Sequence, residues 1–243
     1  MLTRRSPRST TRAVAALTTL VCLGALSACG DDGEETATDT PAASASESGD
    51  AGSFEPPAEG ECAYPADGSP SVEGIEAPPA DPEVEGEVDV TIATSAGEIA
   101  ATLDADRTPC TVGSFVSLVE QGYFDGTECH RLTTQGIFVL QCGDPTATGT
   151  GGPGYTIPDE LTGDETYPAG TLAMAKTPYP DSGGSQFFMV YEDTPLPAEY
   201  TVFGQVDKAG VEVLREVAAD GTATGQPDGP PATPVVLETV SAG

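Results

Sequence analysis

Tryptophan is absent from the 243 residues, histidine occurs once, methionine three times, and lysine and arginine together number only nine. Each shortage removes a class of function. Nine cations against 39 aspartates and glutamates leave a formal charge of −30, which repels nucleic acid and anionic lipid head groups. The six cysteines never fall in a C-x-x-C spacing, so a zinc site built from them and His130 lacks its frame. No G-x-S-x-G occurs, so hydrolysis with His130 as base lacks its serine. The apolar run over 13–26 is too short to span a bilayer as a mature helix.

What is present begins with an address. Arg4, Arg5, Arg8 and Arg12 precede that apolar run, and Leu26-Ser27-Ala28-Cys29 matches the bacterial lipobox. The expectation is a lipoprotein signal peptide over 1–28, cleavage before Cys29 and diacylglyceryl modification of its sulfur, against an ordinary secretory signal cut nearby. Two or more acyl chains give a stable anchor, which places the protein at the extracytoplasmic face of the cell membrane. Cleavage leaves five cations against all 39 carboxylates. Residues 29–59 are acidic and rich in Thr, Ala, Ser and Gly, with Phe54 their one aromatic. They bury too little to offset chain entropy and read as a disordered acidic tether. Residues 60–87 stay Pro- and acid-rich but contain Cys62 and Tyr64, and read as an extension docked on the domain. Residues 88–243 are one domain by length.

Within that domain Val88, Val90 and Ile92 alternate, as do Ile99, Ala101 and Leu103, across Ser95-Ala96-Gly97: a hairpin. Thr108-Pro109 has the form of a helix start, a capping hydroxyl with proline at the first position. Val112, Phe115, Leu118 and Val119 make that helix's apolar stripe, and Gly122 ends it. Strands are expected over 138–141, 171–175, 185–191, 200–206 and 235–240, and a second helix on Val211, Leu214, Val217 and Ala218. Many short strands, two helices and turn-rich links indicate a mainly β fold, a closed or nearly closed antiparallel barrel.

The chemistry gathers in 129–144, Cys-His-Arg-Leu-Thr-Thr-Gln-Gly-Ile-Phe-Val-Leu-Gln-Cys-Gly-Asp, which reads as a hairpin with a long loop. Arg131 is a permanent cation with five donors in a rigid fork, set here at the edge of an apolar surface. The stretch over 183–190, Gly-Gly-Ser-Gln-Phe-Phe-Met-Val, has the same character: glycines, an amide, then aromatics. His-Arg, Phe-Val-Leu-Gln-x-Gly-Asp, Gly-Thr-Gly-Gly, Leu-Ala-Met-Ala, Gly-Ser-Gln-Phe-Phe and Val-Phe-Gly follow one another in family order over 88–240. Together they resemble the cyclophilins, the peptidyl-prolyl cis–trans isomerases.

The resemblance implies a closed eight-stranded antiparallel barrel capped by two helices, with no cofactor and no metal. It implies Arg131 as the donor to the proline nitrogen and Gln141 as the residue that positions Arg131 and holds the substrate carbonyl. Phe138, Val139, Phe188 and Leu196 would form the proline pocket. Gln186 and the backbone at Ala175 and Lys176 would bind the peptide, with Phe187 in the core. His130 would be structural. The chain departs from the family pattern at Val139 (commonly methionine), Lys176 (asparagine), Pro195 (tryptophan) and Tyr200 (histidine, on the same wall), which leaves sequence preference open. The partners implied are proline-containing polypeptides and, through Cys29, the membrane, with no nucleic acid and a monomeric state. A proline-peptide chaperone or scaffold without turnover is the alternative on the same fold. A solute-binding lipoprotein would need two α/β lobes, which the strand pattern opposes.

Two further signals remain. If Cys29 is acylated, Cys62, Cys110, Cys129 and Cys142 make an even set in an exported protein, and three pairings are open. Cys129 and Cys142 lie at the two ends of one hairpin, which favours that pair and leaves Cys62 with Cys110. Gly149-x-Gly151-x-x-Gly154 matches a dinucleotide fingerprint, but Pro153 interrupts it and no helix opens there, so it reads as a tight loop beside the groove.

Overall fold

The computed structural model of the chain describes residues 60–243. The signal peptide over 1–28, Cys29 and the tether over 29–59 lie outside the described residues. The alternating apolar residues make the first hairpin, in which β1 (Glu87–Thr94) and β2 (Gly97–Asp104) pair from Glu87↔Asp104 to Thr94↔Gly97. One face of it, Val90, Ile92, Ile99, Ala101 and Leu103, is buried in the core.

Helix α1 (Pro109–Glu120) begins where the Thr-Pro pair puts it, but not with the expected hydroxyl cap. Thr108 Oγ1 donates instead to the carbonyl of Asp104 at 3.0 Å. The open N–H groups of Cys110 and Thr111 donate to the carboxylate of Glu160 at 3.0 and 2.8 Å. A carboxylate brings full charge to the positive end of the helix where a hydroxyl brings only a dipole.

The remaining elements are β3 (Thr127–Glu128), β4 (Arg131–Thr133), β5 (Val139–Cys142), β6 (Thr171–Met174), β7 (Phe187–Val190), β8 (Val202–Val206), α2 (Lys208–Asp220), β9 (Asp228–Gly229) and β10 (Val236–Ala242). All ten strands join one sheet in the order β3-β10-β1-β2-β8-β6-β7-β5-β4-β9. The mainly β fold with two helices stands, while the closed eight-stranded barrel is corrected to an open, curled ten-stranded sheet. No ladder joins β3 to β9 among the described residues. Both edge strands have only two residues, and β9 arises in a Gly- and Pro-rich link that carries no strand pattern. The chain running from β3 into β4 links the two sides of the sheet. The N–H of Cys129 donates to Val235 beside β10, and the next N–H, that of His130, donates to Gln141 on β5.

Strand alternation divides the apolar residues into two clusters. Leu132, Leu140, Met189 and Leu172 stand in one transverse row and face the main core with Phe115, Phe124, Phe187 and Phe203. Val139, Ala173, Phe188 and Val190 face the other way and form a second cluster with Tyr167. The extension over 60–86 is tied to the domain by the Cys62–Cys110 disulfide, Cα–Cα 5.4 Å, and by Tyr64, whose hydroxyl donates to the carbonyl of Cys110 at 3.0 Å. The other bridge is Cys129–Cys142, Cα–Cα 4.0 Å, at the ends of the β4–β5 hairpin.

Candidate active site

A second row crosses the sheet on the face away from the main core. Arg131 on β4 is registered with Gln141 on β5, Gln141 with Phe188 on β7, and Phe188 with Ala173 on β6. Charge, amide, aromatic ring and methyl thus lie side by side because each strand presents alternate residues to this face. A cavity of about 150 Å³ opens over the row, lined by Arg131, Ile137, Val139, Gln141, Ala175, Lys176, Phe188, Leu196 and Tyr200. Its aromatic wall is braced from behind. Phe188 and Tyr200 meet edge to face with centroids 5.5 Å apart, and the Tyr167 hydroxyl donates to the carbonyl of Tyr200 at 3.1 Å.

Arg131 does not hang free at the rim. Its Nε donates to Asp228 Oδ1 at 2.9 Å and its Nη2 to Asp228 Oδ2 at 2.7 Å, a bidentate pair that fixes the plane of the guanidinium. Its Nη1 donates to Gln141 Oε1 at 3.3 Å. The relay continues in one direction. Gln141 Nε2 donates to Gln186 Oε1 at 2.9 Å, and Gln186 Nε2 donates to the carbonyl of Gly151 at 3.0 Å. Hydrogen bonds from Arg131, opposed by burial, hold the Asp228 carboxyl below the usual carboxylate range, and the same bonds raise the arginine further. With three of its five N–H groups engaged, Arg131 keeps two for a ligand.

Phe138, expected in the pocket, is not there. Adjacent strand residues face opposite ways, so with Val139 in the cavity Phe138 turns to the main core and packs on Tyr191 with centroids 5.9 Å apart. Ile137, from the loop before β5, takes the vacated place on the wall. Val139, Ala175, Lys176, Phe188, Leu196 and Tyr200 are brought together around Arg131 and Gln141, while Gln186 lies just beyond and reaches the site through Gln141. Asp228, Ile137 and Tyr167 were missed from the sequence. For Asp228 the only local signal is an Asp-Gly turn pair.

His130 is partly buried and lines neither this cavity nor the larger one beside it, and among the described residues neither ring nitrogen has a hydrogen bond of good geometry. Burial pushes the imidazole below its ordinary value, Arg131 pushes the same way, and Asp144 and the nearby Gln186 amide oppose them. A neutral ring that faces neither cavity is packing, not a base. The glycine fingerprint also has a structural explanation. The N–H groups of Gly149 and Gly151 donate to Asp144 at 2.7 and 3.1 Å, so they already face a buried carboxylate and offer no cradle for phosphate. Burial alone would raise the Asp144 carboxyl, but these donors and Thr146 outweigh it and hold it low. Among the described residues no group of His, Cys, Asp and Glu could hold a metal ion, and no helix is long and apolar enough to cross a membrane.

Residues 88–242 match the family described as cyclophilin type peptidyl-prolyl cis-trans isomerase. The chain belongs to this family. A Mycobacterium leprae protein named probable peptidyl-prolyl cis-trans isomerase B is 44% identical over 197 residues, 74% of this chain and 65% of its own length. The chain therefore spans a little less than two thirds of that relative. The Bacillus subtilis peptidyl-prolyl cis-trans isomerase B is 42% identical over 126 residues, 48% of this chain and 86% of its own length. The crystal structure of a Cryptosporidium parvum cyclophilin type isomerase superposes with a TM-score of 0.58 at 28% identity, covering 65% of this chain and 98% of that one. The match to the Mycobacterium leprae protein covers more of this chain than the family match over 88–242, and the extension over 60–86 precedes the family match.

Proposed function

We propose that this protein accelerates cis–trans rotation about X–Pro bonds in exported polypeptides, held at the outer face of the cell membrane by lipid on Cys29. One observation carries the reading: a guanidinium clamped in place at the rim of a cavity the size of one ring. A cavity of ~150 Å³ accepts benzene, so it accepts the pyrrolidine of proline. Rotation about the bond has a barrier of ~18–20 kcal/mol, set by amide resonance, and breaks no bond. It needs neither nucleophile nor metal.

The parts on this face suit that task. Val139, Ile137, Phe188 and Leu196 hold the ring while the residue before it turns. As the amide twists, its nitrogen loses resonance and becomes a hydrogen-bond acceptor. A free N–H of Arg131 aimed at that nitrogen stabilises the twisted state and has nothing to bond in the planar one. Gln141, held by Arg131 and Gln186, stands beside the donor and fixes the substrate's carbonyl. The names of the relatives, and a second structure of the Cryptosporidium protein determined in the presence of the dipeptide Ala-Pro, support the same substrate class.

The test is an isomerisation assay on an Ala-Pro peptide with the full chain and with Arg131→Ala. Acceleration that Arg131→Ala removes supports the reading. Tight binding of the peptide without acceleration would replace it with a proline-peptide chaperone. The membrane part is tested separately, by whether Cys29→Ser moves the protein from membrane to soluble fraction.

A further inference from the structure

Next to the ring-sized cavity lies a larger one of about 580 Å³, and Gln141, Ala175 and Lys176 line both. Its far side is polar: Thr150, Thr156, Thr177, Ser182 and the Gly-rich segment over 149–154. One of its walls is not made by the family domain at all. Asp67, Gly68, Ser69 and Ser71 of the extension close it.

That wall is held in place by backbone bonds. The N–H of Asp67 donates to the carbonyl of Gly154 at 2.8 Å, and the N–H of Ser71 to the carbonyl of Gly152 at 2.9 Å. The N–H of Thr156 donates to the carbonyl of Pro65 at 3.0 Å, and Ser71 Oγ accepts from the N–H of Gly152 at 3.0 Å. The Cys62–Cys110 bridge anchors the segment from behind. The loop braced this way includes Gly151, the last acceptor of the relay that starts at Arg131.

The charges on this cavity are unequal. Lys176, its one cation, is paired with Asp159, and those two side chains are only 11% and 13% exposed, so its charge is already answered. Asp67 is exposed, and its carboxylate makes no hydrogen bond or ion pair among the described residues. A carboxylate without a partner among the described residues, on the wall of a polar cavity whose lysine is already paired, favours a long cationic side chain.

We propose that the extension completes a side-chain subsite beside the proline cavity, and that Asp67 gives this subsite a preference for lysine or arginine near the proline. The proposal rests on the peptide-binding reading above, because the neighbouring cavity gains meaning only when a proline ring fills the smaller one. An extended chain advances ~3.3–3.6 Å per residue, so a residue within one or two positions of the proline reaches it.

The test uses the full chain and capped peptides Ala-Xaa-Ala-Pro-Ala and Ala-Ala-Pro-Xaa-Ala, with Xaa as Lys, Ala or Glu. Affinity is read by titration at low ionic strength and turnover by exchange spectroscopy. At one of the two positions Lys should exceed Glu by about fivefold, the upper range for a partly exposed charge pair, and the ratio should shrink in high salt. Asp67→Asn should lower the ratio and Asp67→Lys should reverse it, with the Ala peptides unchanged. The protein's overall negative charge attracts any cationic peptide, but one substitution hardly alters that background. A Lys-to-Glu ratio equal in the wild type and in Asp67→Lys overturns the proposal. If no peptide is turned over, the isomerase reading fails, and the affinity ratios still decide the subsite.

Discussion

Asp228 grips Arg131 from the side across 97 residues of sequence, with bonds of 2.9 Å to Nε and 2.7 Å to Nη2. The fork leaves the guanidinium one orientation, at the lining of the cavity. Asp228 does not line the cavity and acts through Arg131. Asp228→Ala should lower kcat by about three- to tenfold, up to ~1.4 kcal/mol of transition-state stabilisation, with KM little changed. Asp228→Asn keeps one good acceptor and should fall between. The pair is 39% and 55% exposed, so the melting free energy should change by under ~1 kcal/mol. A loss of kcat no larger than the loss of stability would assign Asp228 to the fold alone.

Arg131→Ala should reduce turnover of an Ala-Pro peptide at least about tenfold, each factor of ten being ~1.4 kcal/mol, while circular dichroism shows the fold intact. Arg131→Lys should not restore it, because an ammonium cannot engage Asp228 and Gln141 as a planar fork and still face the substrate. Wild-type rates in either variant would sink the assignment.

The two disulfides should differ in what their loss does. Breaking Cys62–Cys110, whose partners are 48 residues apart, removes a loop constraint worth roughly 4 kcal/mol. It should also free the extension and weaken the selectivity at Asp67, with a smaller effect on the rate for an Ala-Pro peptide. Breaking Cys129–Cys142, 13 residues apart, removes about 3 kcal/mol by the same reckoning. It should lower turnover as well, because it braces the strands that carry Arg131 and Gln141. Kinetics and melting on the paired serine variants check both.

His130 is the chain's one histidine, and its folded form resists protonation because it is buried. The unfolded chain therefore takes up this proton first, and stability is lost as pH falls through ~6.5, the unfolded value. The slope cannot exceed ~1.4 kcal/mol per pH unit, and water reaching the ring reduces it. His130→Asn should show a shallower decline between pH 7 and pH 5 than the wild type. Identical slopes would show that carboxylates alone set the acid sensitivity.

Much of this was legible in the sequence where the signal is local. Alternation in β1 and β2, the Thr-Pro start of α1 and the clustered Arg, Gln and Phe residues all lie within a few residues of what they govern. The one misplaced wall residue came with the family resemblance: Phe138 immediately precedes Val139 at the start of β5, and adjacent extended residues cannot both face the groove. Contacts that span the chain stayed hidden. Glu160 capping α1, Asp228 orienting Arg131 and Tyr167 backing Tyr200 have no pattern of their own, because a carboxylate or phenol is recruited by whatever the fold brings near it. The extra strands were hidden for another reason. Two residues are too few to show a period.

The relay from Asp228 to Gly151 has a grammar, since every member can be read in only one direction. Gln141 must show oxygen to the arginine and nitrogen to Gln186, and Gln186 must repeat that order to meet the carbonyl of Gly151. Turning either amide over sets donor against donor at one end and acceptor against acceptor at the other. Glutamate in place of Gln141 would keep the shape and the bond to Arg131, yet it would face the oxygen of Gln186 with another oxygen. Isosteric is therefore not equivalent here: the site stores the direction of each bond along with its place.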